Sequence, residues 1–262
     1  MDKNVLRVTD IEHIHWSLSE TDVPKSVVLD DKPMSLAAAV ELLIIGAHYP
    51  ALDGANSSVY STVRATNWPV AGGVGSTKKD NLVVIVLPNA DESSWWNEQL
   101  RVLKNELTAN HFPPTLASSL TGGVAEMVDN AWLHSASDKP ALLAYQVRKK
   151  QFAFSVADTG IGILESLRKN SRYDWLRSSM EAIQFAIQPG VSSTDGTGMG
   201  FTSMLKAMAD LWGNARIRSG QAALIVDGTQ EVRSNNCIYL PHLPGLHVSV
   251  RCSLQPPRLP ER

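Results

Sequence analysis

The sequence predicts an α/β fold, with helices on one face of a mixed β-sheet, preceded by a smaller α/β region. Three observations carry this prediction. Residues 115–253 run as a long helical pattern, a strand hairpin, further helices and closing strands, the order of an α/β sandwich. Asn81–Leu87 (NLVVIVL) is a continuous apolar run, the pattern of a strand buried on both faces. His111-Phe112-Pro113-Pro114 then interrupts the chain where a helix cannot continue, which divides it into 1–112 and 113–255.

Taken in order, Lys25–Leu29 is a short β-like run closed by the turn Asp30-Asp31-Lys32-Pro33. Ser35 stands as N-cap of a helix over Leu36–Ile45. Ala51–Thr77 is rich in Gly, Ser and Asn and predicts irregular chain. After the strand at 81–87, Pro88-Asn89 turns the chain, and Asp91 or Ser93 caps a helix carrying Trp96, Leu100, Leu103 and Leu107 at helical spacing. Beyond the prolines a helix is predicted from about Thr115 to His134. Strands Ala141–Val147 and Gln151–Ala157 follow, joined at Arg148–Lys150. Helices occupy part of 163–187 and all of Phe201–Trp212, with Trp212-Gly213 as the C-cap. Strands near 214–219, 222–227, 236–240 and 246–253 complete the pattern.

Composition excludes several classes. With 44% hydrophobic and 19% charged residues the chain packs as a globule rather than staying disordered. A net charge of -2 gives no global case for nucleic acid, although Arg168, Lys169 and Arg172 form a local basic run. The longest apolar stretch, Ser35–Ala47, is too short to span a bilayer and carries Glu41. The opening MDKNVLRVTD has no apolar core of a signal peptide, so the expected setting is soluble and cytoplasmic, away from membranes. Cys237 and Cys252 could bridge only across neighbouring strands, and reduced thiols are expected.

Three short motifs carry chemistry. In Glu126-Met127-Val128-Asp129-Asn130-Ala131 the Glu and Asn are four apart and share a helix face, with His134 one turn further. Asn is a poor residue for mid-helix, which argues against a plain solvent stripe. Asp158-Thr159-Gly160-Ile161-Gly162 ends a strand, where a carboxylate can reach a cleft while glycines turn the backbone beneath a ligand. Gly196-Thr197-Gly198-Met199-Gly200 precedes the helix at 201, and its free amides at the positive end of the helix dipole suit a phosphate. A dinucleotide fingerprint would need a buried strand before these glycines, whereas Gln188–Asp195 reads as a loop.

In this order and spacing the motifs resemble those of the GHKL superfamily, which holds gyrase, heat-shock chaperone, histidine kinase and MutL ATPases. Its Glu-x-x-x-Asn box is similar to Glu126 and Asn130, its Asp-x-Gly-x-Gly box to 158–162, and its Gly-x-Gly-x-Gly box to 196–200. Pro244–Val250 is similar to the family's closing strand. The resemblance covers about 115–253 and implies a Bergerat-type sandwich binding ATP and Mg²⁺. It implies Asp158 as acceptor for the adenine amino group, Asn130 as a Mg²⁺ ligand, and Glu126 as general base. It implies Gly160 and Gly162 beneath the base, Gly196, Thr197, Gly198, Met199 and Gly200 around the phosphates, and 163–195 as a lid. The family's adenine-side threonine has no evident counterpart, since 222–227 contains none.

Within that superfamily three readings stand apart. A self-phosphorylating histidine kinase needs a phosphoaccepting His followed by an acidic residue, but His13, His15, His48 and His111 precede Ile, Trp, Tyr and Phe. A serine/threonine kinase similar to anti-sigma factors suits Glu126 and Asn130-Ala131-x-x-His134, yet those proteins lack 110 residues in front. The reading adopted is an ATPase or ATP-gated switch, with residues 1–112 contacting a protein partner; a non-hydrolysing ATP sensor is the further alternative. His134, Trp95, Trp96 and Trp175 read as packing or capping residues, and the cations at 148–150 and 168–177 as solvated.

Overall fold

The computed structural model describes residues 8–19, 27–28, 34–48, 52–53, 58–66, 75–79, 81–87, 93–192, 200–209, 211–227 and 237–256. Helix α1 (Val8–Ser19) comes first, followed by strand β1 (Val27–Val28) and helix α2 (Leu36–His48). Ser35 caps α2 as expected, its hydroxyl accepting from the Ala38 amide at 3.2 Å. Strand β2 (Leu52–Asp53) pairs in parallel with β1. Helix α3 (Ser58–Arg64) then stands inside the stretch expected to be irregular. Tyr60 and Val63, one turn apart, are both buried, and that single apolar face decides for helix over a composition that favours coil.

The remaining strands form one six-stranded sheet. They are β3 (Gly75–Lys79), β4 (Leu82–Val86), β5 (Leu142–Arg148), β6 (Gln151–Ala157), β7 (Trp212–Asp227) and β8 (Cys237–Ser253), in the spatial order β3-β4-β5-β6-β8-β7. Every neighbouring pair is antiparallel, so the sheet is not the mixed one expected. Helix α4 (Ser93–Ala109) precedes α5 (Pro114–His134), with α6 (Gly162–Arg168), α7 (Ser179–Ala186) and α8 (Gly200–Met208) further on.

Alternate side chains of β4 enter two separate cores, as its continuous apolar sequence predicts. Val83, Ile85 and Leu87 join a core with α4, α5, α7 and α8. Leu82, Val84 and Val86 join a second core with α1, α2 and α3. Helices therefore cover both faces of the sheet, which corrects the expectation of one. The reason lies in α2, where Leu36 and Ala38–Ile45 are almost wholly buried and need a hydrophobic surface to lie on.

The expected division at 112/113 falls between α4 and α5, but the sheet runs across it. Strand β4 pairs with β5 from Leu82↔Gln146 to Val86↔Leu142. Pro114 occupies the first turn of α5, where a missing amide costs nothing, so the proline pair opens a helix rather than a linker.

The C-terminal strands differ in detail from the sequence pattern. Helix α8 ends at Met208, and Trp212 begins β7 rather than capping a helix. The four short strands expected are two long ones whose register shifts between Ser219, Gly220 and Ala222. Cys237 and Cys252 lie on the same strand, so they cannot pair, and both are free. Among the described residues no helix is long and apolar enough to cross a membrane.

Candidate functional site

Helix α5 is the platform on which the motifs meet. Its apolar face, with Leu120, Val124, Met127, Val128 and Ala131, is buried in the core. Glu126 and Asp129 are consequently turned to solvent, and Asn130 sits half-buried beside them. Helix α8 packs on α5 beside Gly123, where a methyl group would lie in ordinary contact 3.4 Å from the Met204 Cα. That crossing brings the first residue of α8 onto the polar edge of α5. A methyl group on Gly200 would stand 3.2 Å from Glu126 Oε2 and 3.3 Å from Asn130 Nδ2.

Asn130 Nδ2 is buried and has no hydrogen-bond partner among the described residues. A buried amide left so is costly, and its two ends interchange by a half-turn of the side chain, so either N–H or C=O can face a ligand. Burial pushes the Asp129 carboxyl up, and the neighbouring Glu126 carboxylate adds to this. Among the described residues no group of three or more His, Cys, Asp or Glu could cage a metal. A cation held here would take one or two protein oxygens and fill its shell from elsewhere, the habit of Mg²⁺.

At the C-terminal end of α5 stands the second motif. Asp158 follows β6 and is only 2% exposed. Its Oδ1 accepts from the Gly160 amide at 2.7 Å, and its own amide donates to the Leu246 carbonyl at 3.1 Å. Burial pushes its carboxyl up to about 7, against the pull of the Gly160 and Leu246 amides. The loop is fastened to α5, because the Ile161 amide donates to the carbonyl of Ser135, the C-cap, at 2.8 Å.

Two glycines are required by close approach. A methyl group on Gly160 would fall 2.0 Å from the Ser135 carbonyl oxygen. One on Gly245, which has φ +81°, would fall 1.9 Å from the Asp158 carbonyl oxygen. Thr159 Oγ1 in this loop is buried without a hydrogen-bond partner among the described residues. Ser135 and the polar face at Asn130 are five residues apart, roughly 7 Å along the helix axis. The arrangement thus sets a buried, proton-exchanging carboxyl at one end of a site. At the other it sets a carboxylate and an unpartnered amide facing a helix start.

No protein-family model and no curated protein matches this chain. The assignment of the site therefore rests on its geometry.

The structure brings Glu126, Asn130 and Gly200 together, and sets Gly160 against Ser135 at the end of the same helix, whereas Asp158 and Gly162 lie against β8 and Ser219. Gly196, Thr197, Gly198 and Met199 lie outside the described residues, as do Ser193, Thr194 and Asp195. His134 is half-buried at the end of α5, and burial, then Lys169, lowers its pKa. Trp96 packs edge-on against Trp132, whereas Trp175 is 53% exposed, with only an edge contact to Phe185. Sequence reasoning missed Ser135, Ser219 and the role of Gly245. A Pro-Gly pair at 244–245 was a usable signal for the last. Nothing in a helix-end or strand serine marks the other two.

Proposed function

We propose that this chain binds ATP with Mg²⁺ in a Bergerat-type site of GHKL kind and acts as an ATPase or ATP-gated switch. The observation that carries the reading is the meeting at Gly200. A glycine at the start of α8 lies against the carboxylate of Glu126 and the amide of Asn130, which has no hydrogen-bond partner among the described residues, 70 or more residues away in sequence. The start of α8 directs amides and the positive helix end toward that spot, which suits phosphate.

In this reading Asp158 binds the base. The adenine amino group donates to the carboxylate, so binding draws the group from its shared protonation near 7 to the ionised form. The bond from the Ile161 amide to the Ser135 carbonyl, with Gly160 pressed against it, would keep the loop low enough for a flat ring to lie over it. Asn130 would offer its carboxamide oxygen to Mg²⁺, and Glu126, exposed beside it, takes the proton of an attacking water. Mg²⁺, when bound, neutralises phosphate charge. Gly196–Met199 join the phosphate cradle on sequence grounds. The exposed edge strand β3, with Ser76–Lys79 open to solvent, is the part of residues 1–112 that we assign to a protein partner.

Incubating the pure protein with γ-labelled ATP and Mg²⁺ tests this directly. Label released as phosphate is the expected outcome. Label on an added protein or on serine or threonine would turn the reading to the kinase, and binding without turnover to the sensor. Absence of any ATP binding would end it.

A further inference from the structure

Ser219 has no part in the motifs, yet it lies where the site's backbone is tied together. It is 3% exposed on β7. Its hydroxyl accepts from the Ile163 amide at 2.9 Å and donates to the Gly245 carbonyl at 2.9 Å. A methyl group on Gly162, at φ +74°, would lie 2.5 Å from that same oxygen. One hydroxyl thus joins the end of the Asp158 loop to the strand whose Gly245 presses on Asp158 and whose Leu246 receives the Asp158 amide.

The strand is shaped for this task. Register shifts fall on either side of Gly220, next to Ser219, and Gly220 has φ +57°. Such bulges re-aim side chains beside functional sites. The next amide, Gln221, donates to Ser179 Oγ at 3.1 Å, at the first residue of α7. The bulge therefore holds the start of α6 and the start of α7, the two ends of segment 162–179.

We propose that Ser219 is the positioning residue of this site: its hydroxyl fixes the glycine loop to the closing strand and so sets where the Asp158 carboxylate stands. The Ser219 hydroxyl bonds to Ile163 and Gly245 rather than to Asp158, and acts through them. The statement about ligand preference below rests on the ATP reading, whereas the statement about the carboxylate does not.

The test compares wild type with Ser219→Ala and Ser219→Thr, each checked for a cooperative fold. Without ligand, the Asp158 carboxyl is titrated by carbon NMR. Ser219→Ala should move its midpoint from about 7 toward the ordinary carboxylate range, because a loosened loop admits water. Ser219→Thr, which keeps the hydroxyl, should restore the wild-type midpoint. With ligand, ATP is compared with the purine riboside triphosphate lacking the 6-amino group. Wild type should favour ATP by about 10- to 100-fold, the range of one charge-assisted hydrogen bond. Ser219→Ala should reduce that ratio at least about five-fold, on the same scale. A general loss of stability would weaken both ligands alike and leave the ratio unchanged.

An unchanged midpoint in folded Ser219→Ala overturns the proposal, whatever the ligands do. If wild type binds neither triphosphate, the ATP reading fails, while the midpoint still decides the role of Ser219. If Ser219→Ala does not fold, Ser219→Cys replaces it, with a sulfur that accepts and donates weakly, and the same two readouts apply.

Discussion

Asp158 is held by opposing influences. Burial favours its neutral form, two backbone amides favour the carboxylate, and the balance lies at about 7. The folded value is above the ordinary 3.8, so its contribution to stability is complete below about 4 and is lost as pH rises through 7. Asp158→Asn carries no such dependence. Its unfolding free energy, relative to wild type, should therefore rise between pH 4 and 8, as measured by urea titration at several pH values. A constant difference would mean that the carboxyl is not buried. The same substitution should weaken ATP binding in calorimetry by about 10-fold or more, since a neutral amide oxygen accepts from the adenine amino group more weakly than a carboxylate. Glu126 is exposed and touches the start of α8, so Glu126→Gln should leave the fold and ATP affinity within a few-fold. Turnover should fall by roughly 10²–10⁴, the scale of a lost general base. Equal turnover would remove Glu126 from that role.

At the scale of elements, α5 organises the site because two others pack directly on it. Helix α8 lies on it beside Gly123, and Gly160 lets the loop after β6 press on the Ser135 carbonyl. The pairing of β7 with β8 supplies the third wall, with Gly245 against Asp158. Gly245→Ala places a side chain at a left-handed backbone and into a carbonyl, which should cost about 1–3 kcal/mol for strain alone, and more for the collision. Thermal unfolding should show that loss, and nucleotide binding should fall more than stability predicts. Gly190→Ala is the control for conformation alone. It also has positive φ, but nothing lies within 4 Å of the added methyl, so only its strain should register.

For the whole molecule, the second core matters as much as the site. Between α1, α2 and β7 lies a buried ion cluster. Glu41 takes Arg216 Nε at 3.0 Å and Arg218 Nη1 at 2.9 Å, while Glu12 takes Arg216 Nη2 at 2.7 Å. Arg218 is fully buried and also meets His15 Nδ1 at 2.9 Å and the Pro241 carbonyl at 3.1 Å. Burial alone would raise Glu41, but Arg216 and Arg218 outweigh it and hold it at about 2. Its stabilisation is thus present above about 4.5 and lost as pH falls through 2, so it favours acid unfolding. Glu41→Ala leaves the fully buried Arg218 without a carboxylate and Arg216 with Glu12 alone, and should cost about 3–5 kcal/mol, read by chemical denaturation. A chain beginning at Pro113 loses β3, β4, α4 and everything that covers the second face. It should be molten or insoluble, with strong binding of a hydrophobic dye; a soluble fragment with one sharp unfolding transition would show that 113–255 folds alone.

The sequence by itself determined the local structure around the site. Helical spacing gave α4 and α5, alternation and apolar runs gave β4, β5 and β6, and a carboxylate followed by spaced glycines marked the loop at Asp158. These signals are short-range, set by backbone geometry within a few residues, and so are written locally. Tertiary structure alone decided how many faces of the sheet are covered, because α2, apolar on every side apart from Glu41 and His48, does not say what it will lie against. It decided that Trp212 starts a strand, since β8 supplies its partner from Ser253, some forty residues on. It also decided the ion cluster and the place of Ser219. Each of these depends on pairs of residues that no local pattern links, and burial gives such pairs their weight by removing the water that would otherwise compete.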